Sequence, residues 1–326
     1  MNEAKRFIDD YIYNNFIRKY NQPWDVIMTL VGNGYWNISL FPNKKSVIIQ
    51  NTIWLRTNHQ SINLFVYYLL KYKKREILEL DIWAAQPSIK VWDLLSINIT
   101  LPPLPEQKAI AGVLSSFDDK IELLRAENQT LEEMGQTLFK ERFGKYKVGD
   151  ELPDGWKVGK LGDIADIYSW KRPQEISENK KWNFKIPLIW ATKIMWFVDD
   201  HLFEWKTLVI WRVGTHWIIQ IFYDKIYPSD NTLVIKSDNF YFTYFILKHV
   251  DYERLNRWAV QPLITQWDLN NYWIILPTKD VLEKFNLTSN SIFTKIKTNS
   301  EEIESLSKTR DQLLPKLMSW EVRVKF

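Results

Sequence analysis

The sequence contains no cysteine and no long apolar run. The absence of cysteine from 326 residues excludes a disulfide scaffold, a thiolate metal site and a cysteine nucleophile. No apolar stretch reaches the roughly 18 residues that a membrane-spanning helix needs. The first residues, MNEAKRFIDD, lack the apolar core of a signal peptide. We therefore expect a soluble cytoplasmic protein that makes no membrane contact.

Glycine is also scarce and tryptophan is in excess. The chain has 10 Gly and 17 Trp, whereas average glycine usage is about 7%. Apolar residues make up 46% and charged residues 25% of the chain, which is typical of a globular protein with two or three cores. The net charge of +4 is only weak evidence for a polyanionic partner. The four histidines are scattered without metal-ligand spacing, and no glycine-rich phosphate loop is present, so we predict no metal and no cofactor.

Two mixed blocks of short strands and helices are separated by long helical stretches. In the first block, residues 1–104, the pattern predicts strands and one helix: Val26–Val31, Ser46–Gln50 and Ile97–Leu101, with the helix at Ser61–Tyr72. In the second block, residues 146–278, it predicts a strand and a short helical turn within Trp156–Ile167, followed by further strands and one helix: Thr207–Val213, Ile218–Tyr223, Leu233–Ile235 and Tyr272–Leu276, with the helix at Phe240–Val250.

The two long helical stretches, residues 105–145 and 279–326, share a heptad seam. Core-type positions step by four and then three from Phe117 to Arg142, and adding 175 to each number gives a second seam from Ile292 to Leu317 in the same register. The predicted seam residues are Phe117, Ile121, Leu124, Leu131, Leu138, Ile292, Ile296, Ile303, Leu306, Leu313 and Leu317. Asn128 and Asn299 also fall on the seam, where they either fix its register or mark a wet stretch.

Local signals predict where these helices begin and end. Glu106–Leu114 reads as a short separate helix, and Ser116 reads as the N-cap of the long helix that follows. Lys279–Phe285 likewise reads as a separate piece, with Ser289 or Ser291 as the cap of the second long helix. Pro315 is expected to kink that helix or to end its regular part.

The chain contains an internal repeat beyond the heptads. WAAQPSIKVWDLLSINITLP (Trp83–Pro102) and WAVQPLITQWDLNNYWIILP (Trp258–Pro277) are identical at 11 of 20 positions, again with an offset of 175. Such self-similarity predicts a duplicated structural unit. The counterpart of Trp156–Ile167 has no room in the first block. Either Met1 is an internal start, or the first copy has lost its opening strand.

These residues resemble a known family. LPPLPEQKAIAGVLSSFDDKIELLRAENQTLEEMGQTLF (Leu101–Phe139) is similar to the central spacer of the specificity subunits of type I restriction-modification systems. Pro153–Trp156 with Leu161–Ile164 resembles the start of their target-recognition domains. The repeated Ala-x-Gln-Pro-x-Ile segment, Ala84–Ile89 and Ala259–Ile264, resembles the ends of those domains.

The resemblance implies an α+β fold with two mixed α/β target-recognition domains in tandem, separated by two long helices packed as an antiparallel coiled coil. The implied domains are a first recognition domain, N-terminally incomplete (1–104), a central spacer (105–145), a second recognition domain (146–278) and a C-terminal spacer (279–326). Each recognition domain would read half of a bipartite double-stranded DNA target. The helices would set the distance between the halves and bind methyltransferase subunits, and through them restriction subunits.

The resemblance also implies that the chain has no catalytic residues, because methylation and cleavage belong to the partner subunits. The motif content agrees, since the only Pro-Pro pair, Pro102-Pro103, lies in a linker rather than in a methyltransferase motif. An alternative is a truncated scaffold or decoy that binds methyltransferase subunits but reads no full site. A free-standing enzyme is poorly supported.

Polar and basic loop positions that differ between the copies are the candidate DNA contacts, because side chains with hydrogen-bonding groups read bases and Lys and Arg hold phosphates. The candidates are Asn33, Tyr35, Lys44, Lys45, Lys171, Arg172, Lys180, Lys181, Arg212, Thr215 and His216. Gln86 and Gln261 have the chemistry to read adenine. Both copies carry this Gln, although the two halves should read different sequences, so a structural role is favoured.

Many tryptophans stand where turn chemistry or the family pattern favours glycine. Trp24 lies between Pro23 and Asp25 in a turn, and Trp320 follows the last helix at the position of a glycine cap. Trp83, Trp92, Trp170, Trp258 and Trp267 also fall at family glycine positions. One interpretation is a tryptophan-rich surface that stacks on bases. The other is a translation artefact, in which UGA codons that the organism reads as glycine were translated as tryptophan.

Overall fold

The computed structural model describes residues 7–17, 20–32, 36–42, 46–80, 87–190, 193–204, 206–213, 217–255 and 263–325. In chain order its helices and strands are α1 (Asp10–Phe16), β1 (Val26–Thr29), β2 (Ile38–Leu40), β3 (Thr52–Leu55), α2 (Asn63–Tyr72), α3 (Lys74–Leu78), α4 (Val91–Leu95), α5 (Leu104–Arg142), β4 (Lys157–Lys160), a 3₁₀ turn (Leu161–Asp163), β5 (Asp166–Tyr168), β6 (Ile186–Trp190), β7 (Lys193–Val198), β8 (Thr207–Trp211), β9 (Ile219–Phe222), β10 (Tyr227–Pro228), β11 (Thr232–Lys236), α6 (Phe240–His249), α7 (Tyr252–Leu255), α8 (Gln266–Asn270), β12 (Trp273–Leu276) and α9 (Lys279–Met318). The predicted α+β class is confirmed.

The chain divides into two compact units. The first unit consists of Met1–Ala126 and Asn299–Phe326, and the second of Glu127–Thr298. Both long helices pass from one unit to the other. Among the described residues, no helix is both long enough and apolar enough to cross a membrane.

The first unit is built on a three-stranded antiparallel sheet in the order β2-β1-β3. The central strand β1 is almost fully buried because its side chains meet apolar residues from both faces. The helix α2 buries Phe65, Tyr68 and Leu69 against the start of α5 and the end of α9. This unit therefore has a core that depends on residues from both ends of the chain.

The second unit contains a larger antiparallel sheet in the order β5-β11-β8-β9. Strands β8 and β11 form its buried centre. Both strands are continuous apolar runs without alternating polar residues, which is typical of strands covered on both faces. A hairpin of β6 and β7, with β10 parallel to β6, forms a second sheet, and β12 pairs antiparallel with β4. The helix α6 packs its aromatic residues onto the second half of α5, where Phe139 stacks on Phe245.

The predicted duplication is visible in the hydrogen bonding of each unit. In the first unit Val31 forms an isolated bridge with Ser88, and in the second Val213 forms the same bridge with Leu263. The helices α4 and α8 occupy positions 91–95 and 266–270, which are again 175 apart. Strands β2-β1-β3 correspond to β9-β8-β11. The second unit has two further strands from its opening segment, β4 and β5, for which the described part of the first unit has no counterpart.

The long helices are each continuous, so neither Glu106–Leu114 nor Lys279–Phe285 is a separate piece and the predicted caps are wrong. The helix α5 runs unbroken from Leu104, so Glu106–Leu114 is not a separate piece, and Ser116 is not a cap because its hydroxyl donates to the Val113 carbonyl inside the helix. The helix α9 runs unbroken from Lys279, so neither Ser289 nor Ser291 caps it. Ser289 is fully buried within the helix. The helix also continues beyond Pro315 to Met318.

The long helices run antiparallel within each unit. In the first unit, Glu106 pairs with Arg323 and Lys120 pairs with Glu302. The residue numbers of the partners therefore fall along α9 and its C-terminal end as the residue numbers rise along α5. In the second unit, Lys295 pairs with Glu127. The antiparallel helix pair that the family resemblance implied is thus present.

Two predicted strands are wrong. Ser46–Gln50 precedes the actual strand β3, because the amide of Thr52 donates to the Ile49 carbonyl and makes a turn before the strand begins. Ile97–Leu101 forms no strand with any described residue of the first unit, whereas its counterpart β12 pairs with β4 in the second. The hairpin of β6 and β7 and the short strand β2 were not predicted.

Three tryptophans have left-handed backbone conformations. Trp24, Trp36 and Trp320 have φ of 71°, 66° and 61°, and no other non-glycine residue in the described ranges has a positive φ. L-residues with a side chain are disfavoured there, and glycine is the usual occupant. The structure thus requires glycine-like backbone at both turn positions that the sequence marked, Trp24 and Trp320, and at Trp36 in the β1–β2 connection. This observation favours the recoding interpretation over a functional tryptophan surface.

Candidate nucleic-acid interface

Three of the predicted DNA contacts meet around one aspartate of the second unit. Arg172 lies 3.5 Å from the Asp230 carboxylate, and the Arg212 guanidinium donates to the Asp230 carbonyl at 3.0 Å. The Lys171 carbonyl accepts a hydrogen bond from the Tyr227 hydroxyl at 3.2 Å, and Tyr227 lies three residues before Asp230 in the chain. We call Lys171, Arg172 and Arg212 with Asp230 the Asp230 cluster.

The elements of the sheet position this cluster. Lys171 and Arg172 follow β5, Arg212 follows β8, and Asp230 precedes β11. These three strands are neighbours in the sheet, so the residues lie at the same end of it. The backbone bond from the Arg212 amide to the Asn231 carbonyl fixes the connection. Lys171 and Arg172 are exposed while Arg212 is half-buried. The cluster therefore presents two exposed cations beside a half-buried one.

The Arg172–Asp230 pair is weak enough to exchange partners. At 3.5 Å and with the arginine side chain 64% exposed, the pair contributes on the order of 0–1 kcal/mol. The guanidinium also lies 5.8 Å from the ring centre of Trp190. A phosphate group accepts two parallel hydrogen bonds from arginine through two of its oxygens, which is stronger than this exposed ion pair. Arg172 can thus turn from Asp230 to a DNA backbone at little cost.

Lys180 and Lys181 lie elsewhere on the second unit. Both are exposed, and a tight turn joins the backbones of Lys181 and Phe184 through two hydrogen bonds. Within the described residues, no hydrogen bond or ion pair joins them to the Asp230 cluster. The remaining candidates, Asn33, Tyr35, Lys44, Lys45, Thr215 and His216, lie outside the described residues, as do Gln86 and Gln261.

Every predicted seam residue is at least half-buried. In the first unit Ile121, Leu124 and Leu317 are almost completely buried. In the second unit Leu138, Ile292 and Ile296 pack against the aromatic core that α6 provides. The Asn128 side chain donates to the Ile296 carbonyl at 3.5 Å.

Gly135 lies where α5 packs closely against α6. A Cβ atom at this position would lie 2.8 Å from Cζ of Phe245, whose ring is fully buried. Gly112, on the same helix, has no atom within 4 Å of its would-be Cβ. The small residue on the seam is therefore required by packing at Gly135 and not at Gly112.

We expect Gly135→Val to lower the free energy of unfolding by about 2 kcal/mol, because the added methyl groups would overpack a ring that has no room to move. Gly112→Val is the matched control, for which we expect a change within about 0.5 kcal/mol, since valine is a slightly better helix former than glycine. Chemical denaturation of both variants measures the difference. Equal effects at the two positions would contradict the packing argument.

Ionic networks on the helices were not predicted from the sequence. In the first unit Asp118 accepts from the Tyr68 hydroxyl at 2.7 Å and pairs with Arg310. Burial, followed by the Asp118 contact, raises the pKa of Tyr68. In the second unit Glu132 accepts from the Tyr244 hydroxyl at 2.9 Å and pairs with Lys248. Burial alone would raise the pKa of Glu132, but these hydrogen bonds outweigh it and hold that pKa below its usual value.

The Leu-Pro-Glu-Gln signal has a structural role in the first unit. Gln107 is fully buried; its side-chain oxygen accepts from the Ile62 amide at 3.2 Å, and its side-chain nitrogen donates to the carbonyls of Gln60 and Pro102. Glu106 is buried and pairs with Arg323 at 2.6 Å. This motif therefore ties the loop before α2, the start of α5 and the C-terminal tail together. The polar side-chain atoms of Glu106 and Gln107 thus contact other residues of the first unit.

The described residues contain no cluster of three or more His, Asp or Glu that could hold a metal ion. The Asp230 cluster consists of exposed and half-buried cations in connections at one end of a sheet. Such an arrangement can bind a polyanion and position it. Its chemistry is that of recognition.

Comparison with known proteins identifies the family. Residues 10–133 and 153–307 match the family described as "Type I restriction modification DNA specificity domain". The MjaIX type I restriction enzyme specificity subunit of Methanocaldococcus jannaschii is 30% identical over 305 residues, which cover 81% of this chain and 70% of that protein. The MjaVIII specificity subunit of the same organism is 24% identical over 366 residues, covering 99% of this chain and 86% of that protein.

The fold agrees with a solved member. The crystal structure of a type I restriction-modification S subunit from M. genitalium covers 92% of this chain and 84% of its own, with a TM-score of 0.60 and 19% identity. The family match includes most of both units. The chain belongs to the type I restriction-modification DNA specificity family, a family of non-catalytic subunits that recognise DNA sequence.

Proposed function

We propose that each unit reads one half of a split double-stranded DNA target and that the chain directs adenine methylation or cleavage by partner subunits. The duplication carries this proposal, because the Val31–Ser88 bridge of one unit recurs as Val213–Leu263 in the other. Two similar readers in one chain suit two half-sites, as two-fold symmetric DNA-binding proteins do. We assign the recognition domains to residues 1–104 and 146–278.

The helical spacers, 105–145 and 279–326, have a second proposed role. Their seam is closed by the residues named above, which leaves the outer faces of α5 and α9 to partners. Leu123 and Leu287 are exposed on these faces, at 62% and 73%. We assign them to the docking of methyltransferase subunits, which in turn hold the restriction subunits. Because such a complex acts on DNA, we propose that the protein is located in the cytoplasm.

Methylation mapping tests the proposed function. The full chain is co-expressed with its methyltransferase subunits, the complex is purified, and methylated adenines are mapped across total DNA. We expect one bipartite motif with a fixed gap. Assembly of the complex without methylation would instead indicate the scaffold or decoy, which the family match does not favour. A continuous motif would contradict the two-reader arrangement.

The Asp230 cluster is the proposed backbone contact of the second unit. We expect Lys171→Ala and Arg172→Ala each to weaken DNA binding of the methyltransferase complex and to lower the salt dependence of log K by about 1, because each removes one phosphate contact. Lys279→Ala is the control, since this lysine is 87% exposed at the start of α9. Binding titrations over a range of salt concentrations give the slopes. Unchanged slopes in both cluster variants would remove these residues from the interface.

A further inference from the structure

The opening segment of the second unit fills two strand edges at once. Strand β4 pairs antiparallel with β12, with Ile274 opposite Gly159 and Leu276 opposite Lys157. Nine residues after β4 begins, β5 starts along the outer edge of β11, with Ile235 opposite Ile167. Between these strands Leu161 is completely buried, and its amide donates to the Tyr272 carbonyl at 2.9 Å. One strand–turn–strand segment, Trp156–Tyr168, thus closes two edges of this domain.

In the described part of the first unit, the same two edges have no strand paired to them. Strand β3, the counterpart of β11, has β1 on one side and no described strand on the other. Asn98–Leu101, the counterpart of β12, has no strand partner, and among the described backbone hydrogen bonds none involves its amides or carbonyls. The described residues of the first unit thus supply no strand at either of the two places that Trp156–Tyr168 fills in the second.

Burial shows that the acceptor surface is preserved without its occupant. Leu101 still packs on the core of α2 and α5, and Ile97 still packs on the β-sheet core. Ile99 lies between them and is 44% exposed, whereas its counterpart Ile274 is 4% exposed. The residues of β3 are all half-buried, whereas four of the five residues of β11 are buried. The segment Ile97–Leu101 is therefore held in the core by Ile97 and Leu101, while Ile99 between them is left uncovered.

We propose that the outer edge of β3 and Asn98–Leu101 form a strand-acceptor site that binds an extended strand–turn–strand polypeptide segment with the chemistry of Trp156–Tyr168. Unpaired edges of this kind bind extended peptides through backbone hydrogen bonds, and side-chain pockets supply specificity. The occupant comes from outside residues 7–325, because the segment of this pattern in the described chain is already placed in the second unit.

Two positions define the chemistry of the occupant. The residue opposite Ile99 must be glycine, since the equivalent Gly159 lies against the side chain of Leu276, whose counterpart is Leu101. Two residues later a leucine must enter the core, as Leu161 does. One contact is lost, because Gln266, which donates to the Ile167 carbonyl in the second unit, is replaced by Val91 in the first.

A synthetic peptide with the sequence of residues 152–168 tests the proposal on the full chain. We expect binding with one peptide per chain and a higher thermal midpoint. Hydrogen exchange is expected to slow by about tenfold or more at residues 52–56 and 97–101, since bound amides exchange only when the peptide leaves. The counterparts 232–236 and 273–276 are expected to stay unchanged. Fusion of the segment upstream of the chain should give the same protection without added peptide.

The control peptides carry Gly159→Val or Leu161→Asp and are expected not to bind. On the protein side, Ile99→Pro should abolish binding, because proline blocks strand pairing at an exposed extended position that it can otherwise occupy. Failure of the parent peptide to bind would overturn the proposal. Protection of 232–236 and 273–276 would do so too, since it shows exchange with the segment of the second unit. Dimerisation of the chain in place of peptide binding would assign these edges to a second copy.

Discussion

Arg56→Leu is expected to lower the free energy of unfolding by about 2–3 kcal/mol, because it strands a buried carboxylate. Asp25 is completely buried, and Arg56 donates to both of its oxygens, at 2.8 and 2.7 Å. The expected loss is at the lower end for a broken buried pair, since the Arg56 side chain is 34% exposed. Chemical denaturation measures it. Arg75→Leu is the control, because its pair with Glu79 is solvent-exposed and is expected to change stability by less than about 0.5 kcal/mol.

The pH dependence of this loss gives a second readout. Burial raises the pKa of Asp25, but the Arg56 hydrogen bonds and the Gln22 amide outweigh it and hold the pKa below its usual value. A carboxyl whose pKa is lower in the folded state stabilises the fold above its unfolded pKa and loses that contribution as pH falls through the folded pKa. The parent and Arg56→Leu should therefore converge in stability below about pH 4. A constant difference down to pH 2 would show that Asp25 is not the source.

Trp24→Gly, Trp36→Gly and Trp320→Gly are each expected to stabilise the first unit by about 1 kcal/mol, since glycine removes the strain of a left-handed residue with a side chain. The change at Trp36 should be smaller, because the Lys74 ammonium lies 3.6 Å from the centre of its ring. Thermal and chemical unfolding measure the gain. A triple variant that is no more stable than the parent would contradict the strain argument.

Trp24→Ala separates backbone strain from loss of the exposed ring. Alanine removes the same side chain but keeps a Cβ atom, so we expect it to be about 1 kcal/mol less stable than Trp24→Gly. The gene supplies an independent test. UGA codons at Trp24, Trp83, Trp92, Trp258, Trp267 and Trp320, with UGG at Trp156, would establish recoding, and UGG throughout would exclude it.

Periodicity and repetition predicted most of the fold. The 175-residue offset predicted two equivalent units, and α4 and α8 do lie at equivalent positions. Strands β8, β9, β11 and β12 and helices α2 and α6 lie where apolar patterning put them. The left-handed turns at Trp24 and Trp320 followed from turn chemistry. These features could be predicted because the signal for each is either repeated in the sequence or contained within a few neighbouring residues.

Features that depend on distant partners were not predicted. Ser116 has the residue type of a cap, but tertiary packing of α5 carries the helix through it. Ile97–Leu101 has strand propensity, yet a strand also needs a partner, which the described part of the first unit does not supply. The Asp230 cluster was predicted only as separate cations, because Asp230 is far from Arg172 in sequence and brought to it by the order of the strands.

The discontinuity of the first unit has a consequence for synthesis on the ribosome. Its core contains Leu317 and Met318 beside Phe65 and Ile110, and its buried Glu106 pairs with Arg323. Domains commonly fold as they leave the ribosome, but this one needs residues 299–326, which are made after the whole of the second unit. The second unit is continuous and has all its residues earlier. The unit whose translation starts first is therefore completed after the second unit, and a stop codon within residues 299–326 would damage the first unit while leaving the second intact.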